Sequence, residues 1–259
     1  MKIPIYQIDA FTDERFRGNP AAVCILQEWL PDELLQSIAA ENNLAETAFV
    51  VEKNGSCELR WFTPEVEVDL CGHATLATGF VFKEHLDYPG DEITFKTQSG
   101  LLKVEYGGNM LSLVFPARPG TPCEPTELLL EGLRVEPVET LKSRDYLVIL
   151  PTEDAVKRAD PDFAKLKKVD ALGVIVSAPG ESVDFVSRFF APQAGINEDP
   201  VTGSSHTTLI PYWSAKLRKK SLSARQLSRR GGKLYCEDLG EKVKISGRGV
   251  TYLVGEITV

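Results

Sequence analysis

The stretch RWFTPE at residues 60–65, followed by DLCGHATL at residues 69–76, decides the fold, because a second copy of it follows later in the chain. In that copy, RFFAPQ at residues 188–193 is followed by DPVTGSSH at residues 199–206. The glycines of the two copies, at positions 72 and 203, lie 131 positions apart, about half of the 259 residues. Since the order arginine, aromatic residue, phenylalanine, proline and glycine is kept in both copies, the sequence predicts two similar halves.

Each copy predicts a strand, then a glycine turn, then the start of a helix. The first turn of a helix leaves backbone N–H groups unpaired and carries the positive end of the helix dipole, so it suits an anion such as a carboxylate. Two such starts, at Gly72 and Gly203, facing each other across a cleft would form a site for a small acidic molecule.

Strand patterns fill most of the remaining chain. The helical stretches that begin at Gly72 and Ser204 are apolar nearly all round, which is typical of helices buried inside a domain. Strands and helices do not alternate regularly, so the sequence predicts an α+β fold rather than a parallel α/β sheet. We expect each half to be a mixed β-sheet rolled around one central helix.

The linker between the halves is predicted at residues 116–125, which carry four prolines. We therefore expect an N-terminal half over residues 1–117 and a C-terminal half over 118–250. A last strand over 251–259 has no counterpart in the repeat and is expected to return to the N-terminal half. Smaller predictions include a strand near 225–229 and turns at 53–55, 97–100 and 228–231.

Composition restricts the classes of function. The net charge of −8 and the isoelectric point near 5.1 argue against a nucleic-acid partner. The five cysteines show no CxxC spacing, which favours a reducing cytoplasm over a disulfide framework. We find no signal-peptide pattern and no run near the ~20 apolar residues that span a bilayer, so we expect a cytoplasmic protein without a membrane partner. The phosphate-loop, strand-linked GxGxxG and GxSxG motifs are absent, which argues against nucleotide, nicotinamide and serine-hydrolase chemistry.

Glu46 is the candidate general acid or base. It heads the apolar strand predicted over residues 47–51, and partial desolvation there would raise the pKa of its carboxyl toward the range useful for proton transfer near neutral pH. The alternative is a solvated strand-end carboxylate, or one that accepts from a neighbouring N–H.

Other candidates surround the two glycines. His73 could donate a hydrogen bond to a ligand carboxylate or act as an acid, whereas for His206 we favour a structural bond to a backbone carbonyl. Asp199 lies on an extended loop that leads to the second turn. Asn19, in the turn GNP at 18–20, could face the cleft. Neither histidine has a second ligand at the usual spacing along the sequence, so we expect no metal site.

Cys71 lies at a helix start, where a thiol can act as a base. The equivalent position in the second copy is Thr202, so the pair of thiols that a two-base racemase needs is incomplete. We therefore favour a buried structural cysteine and keep a second base as the alternative.

The same residues resemble the phenazine-biosynthesis PhzF-like family. The matching stretches are DAF at 9–11, GNPAAV at 18–23, NLAETAF at 43–49, LRWFTP at 59–64, DLCGHAT at 69–75 and NEDPVTGS at 197–204. The resemblance covers essentially the whole chain and implies the fold of diaminopimelate epimerase, with two pseudo-symmetric halves and the site between them. Members of the family are typically homodimers and need no cofactor.

The resemblance also implies roles for particular residues. The family's catalytic glutamate falls on Glu46, and its ligand-contacting positions fall on Gly72, His73, Asp199, Gly203 and Ser204. In the phenazine enzyme that glutamate moves a proton between carbons of a dihydro-hydroxyanthranilate, whereas the related epimerases use one cysteine from each half. The expected function is a cofactor-independent isomerase of a small carboxylated metabolite. The alternatives are an amino-acid-type racemase or epimerase that uses Glu46 and Cys71, or a non-catalytic protein that binds a small acid or a partner.

Overall fold

The computed structural model describes residues 1–53 and 55–259, which divide into two compact units. One unit holds residues 1–114 and 246–259, and the other holds residues 115–245. The first part of the chain forms β1 (Lys2–Ala10), β2 (Asn19–Leu26), α1 (Asp32–Asn42), β3 (Glu46–Lys53), β4 (Ser56–Phe62), β5 (Glu67–Val68), α2 (Gly72–His85), β6 (Glu92–Thr97), β7 (Gly100–Gly107) and β8 (Met110–Pro116). The second part forms β9 (Thr121–Pro122), α3 (Glu127–Leu133), β10 (Glu139–Lys142), β11 (Tyr146–Ile149), α4 (Glu153–Arg158), α5 (Phe163–Leu166), β12 (Val174–Pro179), β13 (Phe185–Ala191), β14 (Ile196–Asp199), α6 (Gly203–Leu217), β15 (Ser221–Gln226), β16 (Gly232–Asp238), β17 (Lys242–Gly247) and β18 (Gly249–Thr258).

The strand pairings repeat between the two units. In the first, β2 runs parallel to β3, β3 antiparallel to β4, β4 parallel to β6, and β6 antiparallel to β7. In the second, the same succession joins β11 to β12, β12 to β13, β13 to β15, and β15 to β16. The repeat in the sequence is therefore also a repeat of topology. The last strand, β18, pairs antiparallel with β1 along nearly its whole length.

Each unit buries one helix. Nine of the 14 residues of α2 and nine of the 15 residues of α6 are buried, and α2 packs on β1, β2, β3 and β7. Hydroxyl groups inside α2 are satisfied locally, because Thr75 and Thr78 donate to the carbonyl oxygens of Cys71 and Ala74. The predicted α+β fold, with a mixed sheet around a central apolar helix in each half, is confirmed.

The opposite face of each sheet is covered by the other helices. In the N-terminal unit, Leu35 and Ile38 of α1 pack with apolar side chains of β1–β4. In the C-terminal unit, side chains of α3, α4 and α5 pack on β11, β12 and β13. Strand β2 is accordingly buried on both faces, as its unbroken apolar run predicts.

The repeated arginine has a structural role in both units. Arg60 donates from Nε and Nη2 to the two carboxylate oxygens of Glu67, both at 2.7 Å, and Arg188 donates likewise to Glu198 at 2.6 and 3.0 Å. Each guanidinium also lies over the ring of the phenylalanine two positions later, 5.1 and 4.9 Å from the ring centroids. Charge-assisted bidentate bonds of this kind fix the segment that leads from the strand to the central helix.

Several boundaries differ from the prediction. The strand placed near 225–229 is β15, Ser221–Gln226, because the buried positions alternate from Leu222 to a buried polar residue, Gln226. The sequence did not predict the short elements β5, β9, β10, β14 and α4, because each carries too few apolar residues to show a hydrophobic period. The predicted turn at 53–55 includes Asn54, which lies outside the described residues.

Among the helices of the described ranges, none has the length and apolar content needed to cross a membrane.

Candidate active site

Three element starts meet at one edge of the N-terminal sheet. Asn19 opens β2, Glu46 opens β3, and His73 lies in the first turn of α2. Because β2 and β3 are parallel, with Ala21 opposite Glu46, their first residues lie at the same edge. The register of a parallel pair therefore brings a carboxylate, an amide and an imidazole together.

The turn before β2 requires a glycine. Gly18 has φ of +63°, and a Cβ there would lie 2.1 Å from the carbonyl oxygen of Ala10. The loop that leads to this turn is held by Asp9, whose carboxylate accepts from the backbone N–H of Phe16 at 2.8 Å. These contacts fix where Asn19 begins its strand, since a residue with a side chain at position 18 would displace the loop.

His73 is the central side chain of the site. Its Nε2 lies 3.2 Å from Oε2 of Glu46, and the side chains of His73 and Glu46 are 7% and 14% exposed. The carboxylate is thus the more accessible member of a nearly buried pair.

The other ring nitrogen of His73 has two neighbours. Nδ1 lies 3.2 Å from Nδ2 of Asn19 and 3.5 Å from Sγ of Cys71. Asn19 has no exposed surface and Cys71 is 5% exposed. The ring therefore joins the carboxylate on one side to a thiol and an amide on the other.

The charges in this cluster are coupled. Burial alone would lower the pKa of His73, but the neighbouring Cys71 sulfur and the Glu46 carboxylate outweigh it and raise that pKa well above its ordinary value. Burial, followed by the nearby charge of Glu46, raises the pKa of the Cys71 thiol. Both effects favour the neutral thiol of Cys71 over its thiolate.

The start of α2 has no capping side chain. Its N-cap residue is Cys71, in an extended conformation and without a side-chain bond to the helix. The first-turn N–H groups, including those of Gly72 and His73, are directed toward the N-terminal end of the helix, where they can meet an anion.

The start of α6 in the other unit is organised by Gln226. This side chain is fully buried; its Oε1 accepts from the N–H of Thr202 at 2.9 Å, and its Nε2 donates to the carbonyl oxygen of Asp199 at 2.7 Å. The hydroxyl of Thr202 donates in turn to Oδ2 of Asp199 at 2.6 Å. Asp199 is thereby tied to the N-cap of α6.

Ser204 has a cationic neighbour that the sequence did not indicate. Nη2 of Arg144 donates to Oγ of Ser204 at 3.1 Å and pairs with the buried Asp145 at 2.9 Å. A guanidinium thus lies at the start of α6, beside Gly203. Arg144 lies 60 positions before Ser204 and belongs to no motif, so only the fold could show this contact.

His206 has the structural role favoured from the sequence. Its Nδ1 donates to the carbonyl oxygen of Thr202 at 2.8 Å, and its ring lies 5.9 Å from that of Phe185. The residue is fully buried, and burial lowers the pKa of His206 to about 4. It is a neutral core imidazole at physiological pH.

A metal could in principle use the first cluster. Glu46, Cys71 and His73 each offer one ligand atom within 4.8 Å of the others. Glu46 joins the cluster from the start of β3, so its spacing along the sequence does not show it as a ligand. The expectation of no metal therefore stays a prediction.

Comparisons with known proteins agree with this architecture. The family model described as phenazine biosynthesis-like protein, PhzC-PhzF, matches residues 8–255. A Pseudomonas aeruginosa protein named an uncharacterized isomerase is 51% identical over 257 residues, covering 99% of both chains. The crystal structure of a PhzF-family phenazine biosynthesis protein from Enterococcus faecalis is 46% identical, covers both chains completely and has a TM-score of 0.98.

A more distant structure supports the fold alone. A hydroxyproline epimerase from Agrobacterium vitis is 10% identical, with a TM-score of 0.63 over 99% of this chain and 92% of that one. This likeness confirms the predicted epimerase-like architecture. From its match over nearly its whole length, the chain belongs to the PhzC-PhzF family of phenazine biosynthesis-like proteins.

Proposed function

We propose that this protein is a cofactor-independent isomerase that moves a proton between carbons of a small carboxylated metabolite, with Glu46 as the general acid and base. The observation that carries the proposal is the Glu46–His73 pair, with 3.2 Å between Oε2 and Nε2 and with the carboxylate on the exposed side. Membership of a family whose relatives include proteins named isomerases supports the same reaction class.

In the proposed reaction, the carboxylate of Glu46 takes a proton from a carbon of the substrate. The electron pair left on that carbon is delocalised into the adjacent unsaturated or carboxyl group, and the carboxyl of Glu46 then returns the proton to a different carbon. His73 donates from Nε2 to Glu46, which keeps the carboxylate oriented and its charge balanced through the cycle. Only 7% of the His73 side chain is exposed, which limits the water around this contact.

We propose that the substrate carboxylate binds at a helix start. Backbone N–H groups near Gly72 and His73 suit an anion, and so do those near Gly203 and Ser204, where Arg144 adds a positive charge. Asp199, which Thr202 ties to the N-cap of α6, is proposed to accept from a donor group of the ligand. A crystal soaked with a small carboxylic acid tests this: the acid held away from both helix starts would contradict it.

The main alternative is a racemase or epimerase with Cys71 as a second base. The burial of Cys71, its contact with His73 and the raised pKa of its thiol favour a structural role instead. The two reactions leave different products, because an isomerase gives a new constitutional isomer and a racemase gives the mirror image or epimer. A non-catalytic binding protein would give neither.

The test is incubation of the protein in deuterium oxide with a panel of small carboxylic acids, followed by NMR and chiral chromatography. We expect deuterium in a constitutional isomer of one acid, and we expect Cys71→Ala to retain that activity within about tenfold, because the thiol takes no proton in the proposed cycle. Deuterium only at a stereocentre, lost in Cys71→Ala, would replace the isomerase with the racemase. Saturable binding without exchange would identify a binding protein.

A further inference from the structure

Asn19 is buried beside His73. It has no exposed surface, and it lies between the loop after β1 and the first turn of α2. Its amide faces Nδ1 of His73 at 3.2 Å, on the side of the ring opposite Glu46. A group so placed can act on the ring of His73.

The chemistry of an amide matters at this point. An asparagine side chain has a donor and an acceptor end, so it can donate to an unprotonated Nδ1 or, after rotation by half a turn, accept from a protonated one. In the orientation found here Nδ2 faces Nδ1, which places the ring proton of a neutral His73 on Nε2. That is the nitrogen that faces Glu46.

We propose that Asn19 is a positioning residue that holds the ring of His73 with its Nε2–H directed at Glu46. The second neighbour of Nδ1, the Cys71 thiol at 3.5 Å, is a weak donor and supports the same tautomer. The inference rests on the proposed function only for the role of Glu46 as the general acid and base. The tautomer itself is a property of the free protein.

Among the described residues, three side chains contact the ring of His73. Cys71 approaches from the residue before α2 and Glu46 from the start of β3, while Asn19, from β2, is uncharged. Strand β1, which pairs with β2, carries one carboxylate, that of Asp9. Its Oδ2 accepts a hydrogen bond from the N–H of Phe16. A substitution at Asn19 therefore changes a partner of the ring that does not titrate.

The experiment is NMR of the histidine side chains in the intact protein. The chain has only three histidines, so long-range proton–nitrogen correlations resolve each ring, and His73→Asn assigns one set of signals. Asn19→Asp keeps the shape of the side chain but offers only acceptors, and Asn19→Leu offers neither end. Thr47→Val is the matched control, because Thr47 is equally buried, adjoins Glu46 in β3 and bonds to Asn42.

We expect the wild type to show the Nε2–H tautomer of His73 above its titration midpoint. Asn19→Asp should shift the proton to Nδ1 and raise the pKa of His73 by about one unit, because an opposite charge lies within reach. Asn19→Leu should give a mixture of tautomers, because neither end of the amide then selects one, whereas Thr47→Val should leave the tautomer unchanged. If Asn19→Leu does not fold, the near-isosteric Asn19→Asp carries the test alone.

The proposal is overturned if the His73 tautomer and titration are the same in Asn19→Asp as in the wild type. It is equally overturned if Thr47→Val alters them as much, since the effect would then be general loosening of the sheet edge. Because these signals are read without substrate, failure here is separate from failure of the isomerase proposal. The latter would appear as absent proton exchange in a protein whose His73 tautomer behaves as expected.

Discussion

Protonation of His206 should make the protein's stability depend on pH below neutrality. The ring is fully buried beside Phe185, and its pKa falls from 6.5 to about 4 in the folded state. Between these values the unfolded chain binds a proton that the folded chain does not. The stabilisation is therefore complete above pH 6.5 and decreases as the pH falls toward 4.

The size of the effect follows from the shift. At about 1.4 kcal/mol per pKa unit, the contribution lost between about pH 7 and about pH 4.5 is roughly 2.5 kcal/mol. His206→Asn removes the titrating group, and its amide can still donate to the carbonyl of Thr202. Urea unfolding of the wild type and of His206→Asn at the two pH values isolates the contribution of His206 to the free energy of unfolding. The contributions of the other titrating groups are the same in both proteins and cancel when one is subtracted from the other.

The wild type should lose about 2.5 kcal/mol more than His206→Asn between the two pH values. In the same samples, the ring protons of His206 should not shift between pH 8 and pH 5 as followed by NMR, because its pKa lies near 4. Equal pH dependence in the two proteins, or titration of His206 near neutrality, would refute the conclusion that burial outweighs the bond to Thr202 in setting its pKa.

Two further predictions concern the backbone around the candidate sites. Gln226→Leu should lower the free energy of unfolding by about 2–3 kcal/mol in urea titrations, because the buried N–H of Thr202 loses its acceptor; an effect below about 0.5 kcal/mol would show that Gln226 does not hold this turn. Gly18→Ala should lower the free energy of unfolding by about 1 kcal/mol because φ is positive there, and by a further amount because the new Cβ clashes with Ala10. Gly55→Ala, at φ +72° with open space around it, should lose only the contribution from positive φ. Equal losses measured by urea unfolding would contradict the clash.

The sequence predicts those features whose signals are local. A glycine turn followed by a helix that is apolar all round locates α2 and α6, and the repeated arginine and proline show that the chain contains two copies of one plan. The spacing of these residues along the chain is enough, because strand, turn and helix follow one another without long-range information.

The contacts that make up the candidate site are not local. Glu46 meets His73 because α2 packs on β2 and β3, and a shift of β3 by one residue would point the carboxylate to the other face of the sheet. The role of Gln226 could not be predicted, because it is a polar residue at a buried position whose hydrogen-bond partners are backbone groups of a loop distant in sequence. Asn19 reads as part of a turn from the sequence, and only the fold places its amide behind His73.

Proton transfer by Glu46 is the central claim, and the substitution Glu46→Gln tests it most directly. The amide keeps the size of the side chain and can still contact His73, but it cannot take a proton from carbon. The matched control is Glu52→Gln, which makes the same change in the same strand at an exposed position.

The measurement is the rate of deuterium incorporation from solvent into the first acid that the wild type isomerises. We predict that Glu46→Gln lowers this rate by about 10²–10⁴-fold while binding of the acid changes by less than about tenfold, and that Glu52→Gln matches the wild type. Incorporation by Glu46→Gln at the wild-type rate would contradict the account, since another group would then be moving the proton.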